Sequence, residues 1–80
     1  MQKVNLKELK AWFDADANID WETLGEPENF MELDMMSHKR HLQLVDIVGD
    51  HEVACNLCTY LYDGCDWETF KNAFDDVEFI

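Results

Sequence analysis

Between Lys10 and Lys39 the chain has no lysine or arginine. It carries eight carboxylates there, in four pairs at a step of six residues: Asp14/Asp16, Asp20/Glu22, Glu26/Glu28 and Glu32/Asp34. Charge of one sign at that density opposes compaction by self-repulsion. The stretch must therefore lie in an acidic shell around whatever core the rest of the chain builds. The whole chain has 18 acids against six bases and a net charge of -12. Hydrophobic residues are nevertheless 48% of its 80 residues and aromatics 12%. That is too apolar for an acidic disordered tail, and 80 residues suit a single compact domain over 1–80, near the small end of what folds alone.

Local signals favour helices. Asn5 is a cap residue, with Glu8 three positions on, and Leu6, Leu9 and Phe13 then share a face until the pattern fails near Ala17-Asn18. Asp20 caps a short turn that Gly25 stops. Pro27 suits the first turn of a helix running to Val48, with Gly49 as terminator. Glu52, Asn56, Thr59 and Asp63 are polar at helical spacing, opposite Ala54, Leu57, Cys58 and Leu61, between the cap Asp50 and the stop Gly64. Asp66 caps a last helix to about Phe74, burying Phe70, Ala73 and Phe74. The tail Val77–Ile80 alternates, as an extended segment does. The expected fold is mostly α, with four to five helices. The alternative is α+β, with a hairpin at about 41–60 turning at Gly49-Asp50. The hexapeptide Ile19–Leu24 recurs as Cys65–Phe70, with Asp-Trp-Glu-Thr in common. It reads as one helix-start device used twice.

The termini and cysteines bear on location. Met1–Trp12 lacks the apolar run of a signal peptide, and no stretch approaches the roughly 20 apolar residues that span a bilayer. Cys55, Cys58 and Cys65 are odd in number and close together, which argues against a disulfide framework and for a cytoplasmic setting.

Three constellations bear on chemistry. Asp14, Asp16 and Asn18, followed by Asp20 and Glu22, resemble an EF-hand loop, but Ile19 occupies the glycine place and Gly25 the bidentate glutamate place. His38-x-x-His41 and Cys55-x-x-Cys58 have zinc-ligand types and spacings. A helical hairpin about Gly49-Asp50 would bring His41 near Cys58, with His51 as a fifth ligand. Both cysteines fall inside a helix on or beside its apolar side, where buried structural cysteine is the commoner arrangement. No metal or cofactor is assigned on these spacings alone. Redox use of the cysteine pair is disfavoured, because it lies away from the helix start that would lower a thiol pKa. Ser37 is the only serine, and no nucleophile motif or phosphate loop is present, so no catalytic residue and no enzyme are expected.

The acids carry the functional expectation. DNA bears one charge per roughly 1.7 Å of axis, and paired carboxylates on helix ends and turns imitate such an array. The chain should avoid nucleic acid and membrane and attract a basic, nucleic-acid-handling protein. The expected contact set is Asp14, Asp16, Asp20, Glu22, Glu26, Glu28, Glu32 and Asp34, with Trp21 and Phe30 as apolar anchors. In size, acidity and lack of a catalytic motif the chain is similar in style to phage-encoded anti-defence proteins of the anti-restriction or anti-CRISPR type. Such a protein inhibits by occupying a basic cleft, as monomer or homodimer. Two other classes stay open: a Ca²⁺ or Zn²⁺ module, and an acidic assembly or antitoxin-like subunit that binds through Val77–Ile80, Tyr60 and Tyr62.

Overall fold

The computed structural model describes residues 2–64 and 66–80. Met1 and Cys65, the latter the first position of the second hexapeptide copy, lie outside the described residues. The elements are β1 (Gln2–Val4), α1 (Leu6–Ala17), α2 (Trp21–Leu24), a 3-10 turn (Pro27–Asn29), α3 (Phe30–Val48), α4 (His51–Tyr62), α5 (Trp67–Asn72) and β2 (Val77–Phe79). The fold is mostly α, and the hairpin alternative does not form. Residues 41–60 belong to α3 and α4, which meet at the Gly49-Asp50 turn.

The helix starts follow from side-chain caps. Oxygens of Asn5, Asp20, Asp50 and Asp66 accept the backbone N–H of Glu8, Thr23, Val53 and Thr69, each three residues on. Each bond satisfies a donor that the first helical turn leaves orphaned. The two hexapeptide copies use the same device. In both, bonds from the threonine hold the aspartate carboxyl below its ordinary range. Pro27 opens a 3-10 turn rather than α3 itself, so α3 begins three residues later than the proline implied.

α3 is the hub. It contacts α1, α2, the 3-10 turn, α4 and β1. The core is Val4, Leu9, Trp12, Leu44, Val48, Ala54, Leu57, Leu61, Phe70 and Val77. Phe70 is fully buried and collects Trp67, Phe74 and Phe79 at centroid separations of 5.2, 5.5 and 5.2 Å. α5 ends at Asn72, short of the expected Phe74, so Ala73 is an exposed cap and Phe74 is half-buried beyond the helix.

The chain ends are joined. β1 pairs in parallel with β2, with Gln2 opposite Val77, Lys3 opposite Glu78 and Val4 opposite Phe79. Backbone bonds from Ile80 to Val4 and from Leu6 to Ile80 extend the ladder. Val77 is buried and Phe79 half-buried. The tail is therefore a structural strand, and its main-chain edge toward β1 is already used.

Gly49 ends α3 in the left-handed region, at φ 86°. A Cβ there would also sit 2.6 Å from Gln2 Nε2. That amide donates to the Val48 carbonyl at 2.5 Å, closing the C-terminus of α3 from the N-terminal strand. Gly49→Ala should therefore cost about 1–2 kcal/mol from backbone conformation alone, plus the Gln2 contact. Urea unfolding should show a lower midpoint with an unchanged m-value.

Candidate functional site: an acidic ridge beside a methionine groove

The eight acids divide in two. Asp14, Asp20, Glu22, Glu26, Glu28, Glu32 and Asp34 are exposed, while Asp16 is only 5% exposed. It was expected on the partner-binding surface; it is turned inward instead. Its Oδ1 accepts from Arg40 Nε at 2.9 Å and its Oδ2 from the Tyr62 hydroxyl. Its backbone carbonyl accepts the indole N–H of Trp21 at 3.0 Å. Arg40 also donates to the Trp12 carbonyl at 2.6 Å and to Gln43 at 2.9 Å. Its guanidinium lies 4.9 Å from the centre of the Trp12 ring, whose own N–H returns a bond to the Arg40 carbonyl at 3.1 Å.

This is the one ion pair among the described residues. Among them no buried side-chain nitrogen or oxygen lacks a partner. Burying two charges costs several kcal/mol per ion unless every lone pair and proton is matched, and here both carboxylate oxygens are used. Asp16 follows Leu9 and Trp12 on the inward face of α1. A carboxylate in a 9, 12, 16 apolar stripe was the available signal that it would be buried with a partner.

The inward Asp16 also removes the EF-hand reading. Residues 14–17 form the last turn of α1, not a loop, and one of the required carboxylates is committed to Arg40.

The two expected anchors differ. Trp21 is half-buried and tied by its N–H to Asp16, so it closes an edge between α2 and α1. Phe30 is 52% exposed. Sequence reasoning missed its neighbours: Met31 is 80% and Met35 71% exposed, with Leu42 further along α3 at 52%. The spacing 31, 35, 42 on a helix was the legible signal. Met35 and Leu42 line two adjoining shallow grooves that share Met35 and Lys39. One of about 330 Å³ is lined by Leu24, Glu32, Met35, Met36 and Lys39. The next is lined by Met35, His38, Lys39, Leu42, Gln43 and Asp46. Of the exposed acids, Glu32 lines the first groove and Asp46 the second, and Lys39 lines both.

The other expected surface is mostly used up. Tyr60 packs on Phe74 and Phe70 at 5.3 and 6.1 Å. Tyr62 is bound to Asp16 through its hydroxyl and to Phe13 edge to face at 5.1 Å. Together with the paired tail, this leaves Ile80, at 65%, and Tyr62, at 49%, as the exposed apolar surface of that set.

The histidine and cysteine pattern resolves differently from its spacing. His41, His51 and Cys55 come together, with ligand atoms all within 4.8 Å of one another. His38 is exposed on α3 and outside this group. Cys58 borders a different cleft, with Trp12, Asp16, Trp21 and Arg40. Burial first, then the charge of Asp16, pushes its thiol pKa up. His41 lines that same cleft, so the expected approach of His41 to Cys58 holds at the level of a shared wall. Cys55 and Cys58 are free thiols.

No protein-family model, curated protein or solved structure matches the chain.

Tyr62 supplies a pH test of the buried network. Burial, then its bond to Asp16, raises its pKa far above the ordinary 10.0. The folded state thus holds a proton that the unfolded state releases. The resulting stabilisation is complete below about pH 10 and is lost as pH rises toward the folded-state value. Alkaline absorbance titration should show Tyr62 ionising late, together with unfolding. Tyr62→Phe should remove the late step and flatten the alkaline fall in stability.

Proposed function

We propose that this chain is a small, non-catalytic inhibitor that docks on a basic surface of a partner protein, of the kind that otherwise holds nucleic acid. The contact surface is the acidic ridge of Asp14, Asp20, Glu22, Glu26, Glu28, Glu32 and Asp34, together with Phe30, Met31, Met35 and Leu42. One observation carries this reading. Seven exposed carboxylates without an ion-pair partner among the described residues lie in the same stretch of chain as large exposed apolar side chains.

Either half alone has a bland explanation, since charge runs are commonly solvated faces and single exposed apolar residues are ordinary. Their coincidence supports a protein partner. Like charges at this density cost folding stability, and two methionines at 80% and 71% exposure gain nothing from water. A partner bearing Lys or Arg around apolar side chains relieves both. Methionine is flexible and polarizable, and it adapts to irregular apolar surfaces. The carboxylates would steer encounter and the grooves would hold the complex.

Asp16 and Asp20 are kept out of the test, because one is buried and the other caps α2. Replacing Glu22, Glu26, Glu28 and Glu32 by Gln should leave folding intact and slow association at low salt by about tenfold or more. Met31→Ala with Met35→Ala should mainly speed dissociation. The assay is capture from host lysate on immobilised wild type and both variants, with a salt gradient and added DNA or RNA as competitor. A basic partner released at moderate salt and displaced by nucleic acid, with those two variant effects, is the expected result. A partner that binds the Gln variant equally and ignores nucleic acid contradicts the reading.

A further inference from the structure

We infer that His41, His51 and Cys55 form a binding site for a borderline-soft divalent ion of the Zn²⁺ class, which clips α3 to α4 beside their connecting turn. The site is independent of the acidic ridge.

The fold places the ligands on facing helices. Gly49 and Asp50 turn the chain sharply, so α4 returns along α3. His51 and Cys55 are one helical turn apart and share a face of α4, as i and i+4 residues do. His41 faces them from α3. The two imidazoles meet edge to face at 4.7 Å between centroids, and Cys55 Sγ lies 3.9 Å from His51 Nδ1.

Those distances are close to a coordination sphere. Zn–N bonds of about 2.0–2.1 Å and a Zn–S bond of about 2.3 Å in a tetrahedron put ligand atoms about 3.3 Å (N to N) or 3.6 Å (N to S) apart. The observed set lies within 4.8 Å. It needs to contract by about 1.5 Å at most, which side-chain torsions supply without moving the helices. His41 and Cys55 are half-buried and His51 exposed, so an ion has a way in. A net charge of -12 favours any cation locally.

Ligand type sets selectivity. Two imidazoles and a thiolate disfavour Ca²⁺ and Mg²⁺, which take oxygen ligands. Binding replaces the Cys55 S–H bond by an S–metal bond and releases that proton to solvent, with no change of oxidation state. Three protein ligands leave one position for water or for a group from another molecule. Cys58 is the wrong cysteine, since it faces Asp16 and its thiol holds its proton more tightly than usual.

Co²⁺ titration of the reduced, full-length protein tests this. Wild type should develop a thiolate-to-cobalt charge-transfer band and intense tetrahedral d–d bands, bleached by equimolar Zn²⁺ and untouched by Ca²⁺ or Mg²⁺. Cys55→Ser should lose the charge-transfer band. His51→Ala, at an exposed position and so safe for folding by circular dichroism, should weaken Co²⁺ binding by at least about tenfold. Cys58→Ser should keep the spectrum. Zn²⁺ should raise the Tm of wild type and not that of His51→Ala. No charge-transfer band in wild type, or a band that persists in Cys55→Ser, overturns the site.

Discussion

The Asp16–Arg40 pair is the constraint on which the rest of the structure depends. It binds α1 to α3 directly. Through the Tyr62 hydroxyl it reaches α4, and the backbone carbonyl of the same Asp16 accepts the Trp21 indole N–H of α2. Its worth is not simple attraction. Desolvating two ions offsets most of the Coulomb gain, and apolar residues of the same volume would often do as well. What an apolar replacement could not supply is direction. Each bond fixes an angle and a register between helices. The reciprocal bonds between Trp12 and Arg40 cross the same gap twice. In a chain of this acidity, one carboxylate placed inside and matched atom for atom does more to define the fold than seven outside.

The pair also positions the ridge. α2 has four residues and buries none of them completely. It is held by the Asp20 cap, by the Trp21 bond to the Asp16 carbonyl, and by Asn29 Nδ2 donating to the Thr23 carbonyl at 2.9 Å. Two of these anchors are local. The third reaches the buried network, so the geometry of Glu22 and Glu26 relative to α3 is set from inside. A surface used for binding gains from such support, because order established before encounter is not lost on binding.

How much of this was legible depends on range. The caps Asn5, Asp20, Asp50 and Asp66 act on N–H groups three residues away, so sequence showed them directly. Gly49 was legible for the same reason. The alternating tail was read as extended, but its partner strand was not. Three residues, Gln2–Val4, carry no usable period, and the pairing spans the whole chain. Arg40 lies 24 positions from Asp16 and Tyr62 lies 46. Nothing local names such partners. Counting Asp16 with the surface acids followed from its even spacing along the chain, whereas burial is decided by the face of α1 it occupies. The histidine and cysteine set was half legible. A helical hairpin brings His41 toward α4, but which cysteine it meets depends on helix rotation, and rotation puts Cys55 there and Cys58 against Asp16.

The most direct measurement is a double-mutant cycle on Asp16→Asn and Arg40→Met, read by urea unfolding at neutral pH. Each single change leaves a buried charge or donor unmatched and should cost about 3 kcal/mol. The double variant should cost less than the sum, with a coupling of about 1–3 kcal/mol. If Asp16→Asn instead changes stability by no more than about 0.5 kcal/mol, as a surface acid does, and the two changes add, Asp16 is not the internal link described here.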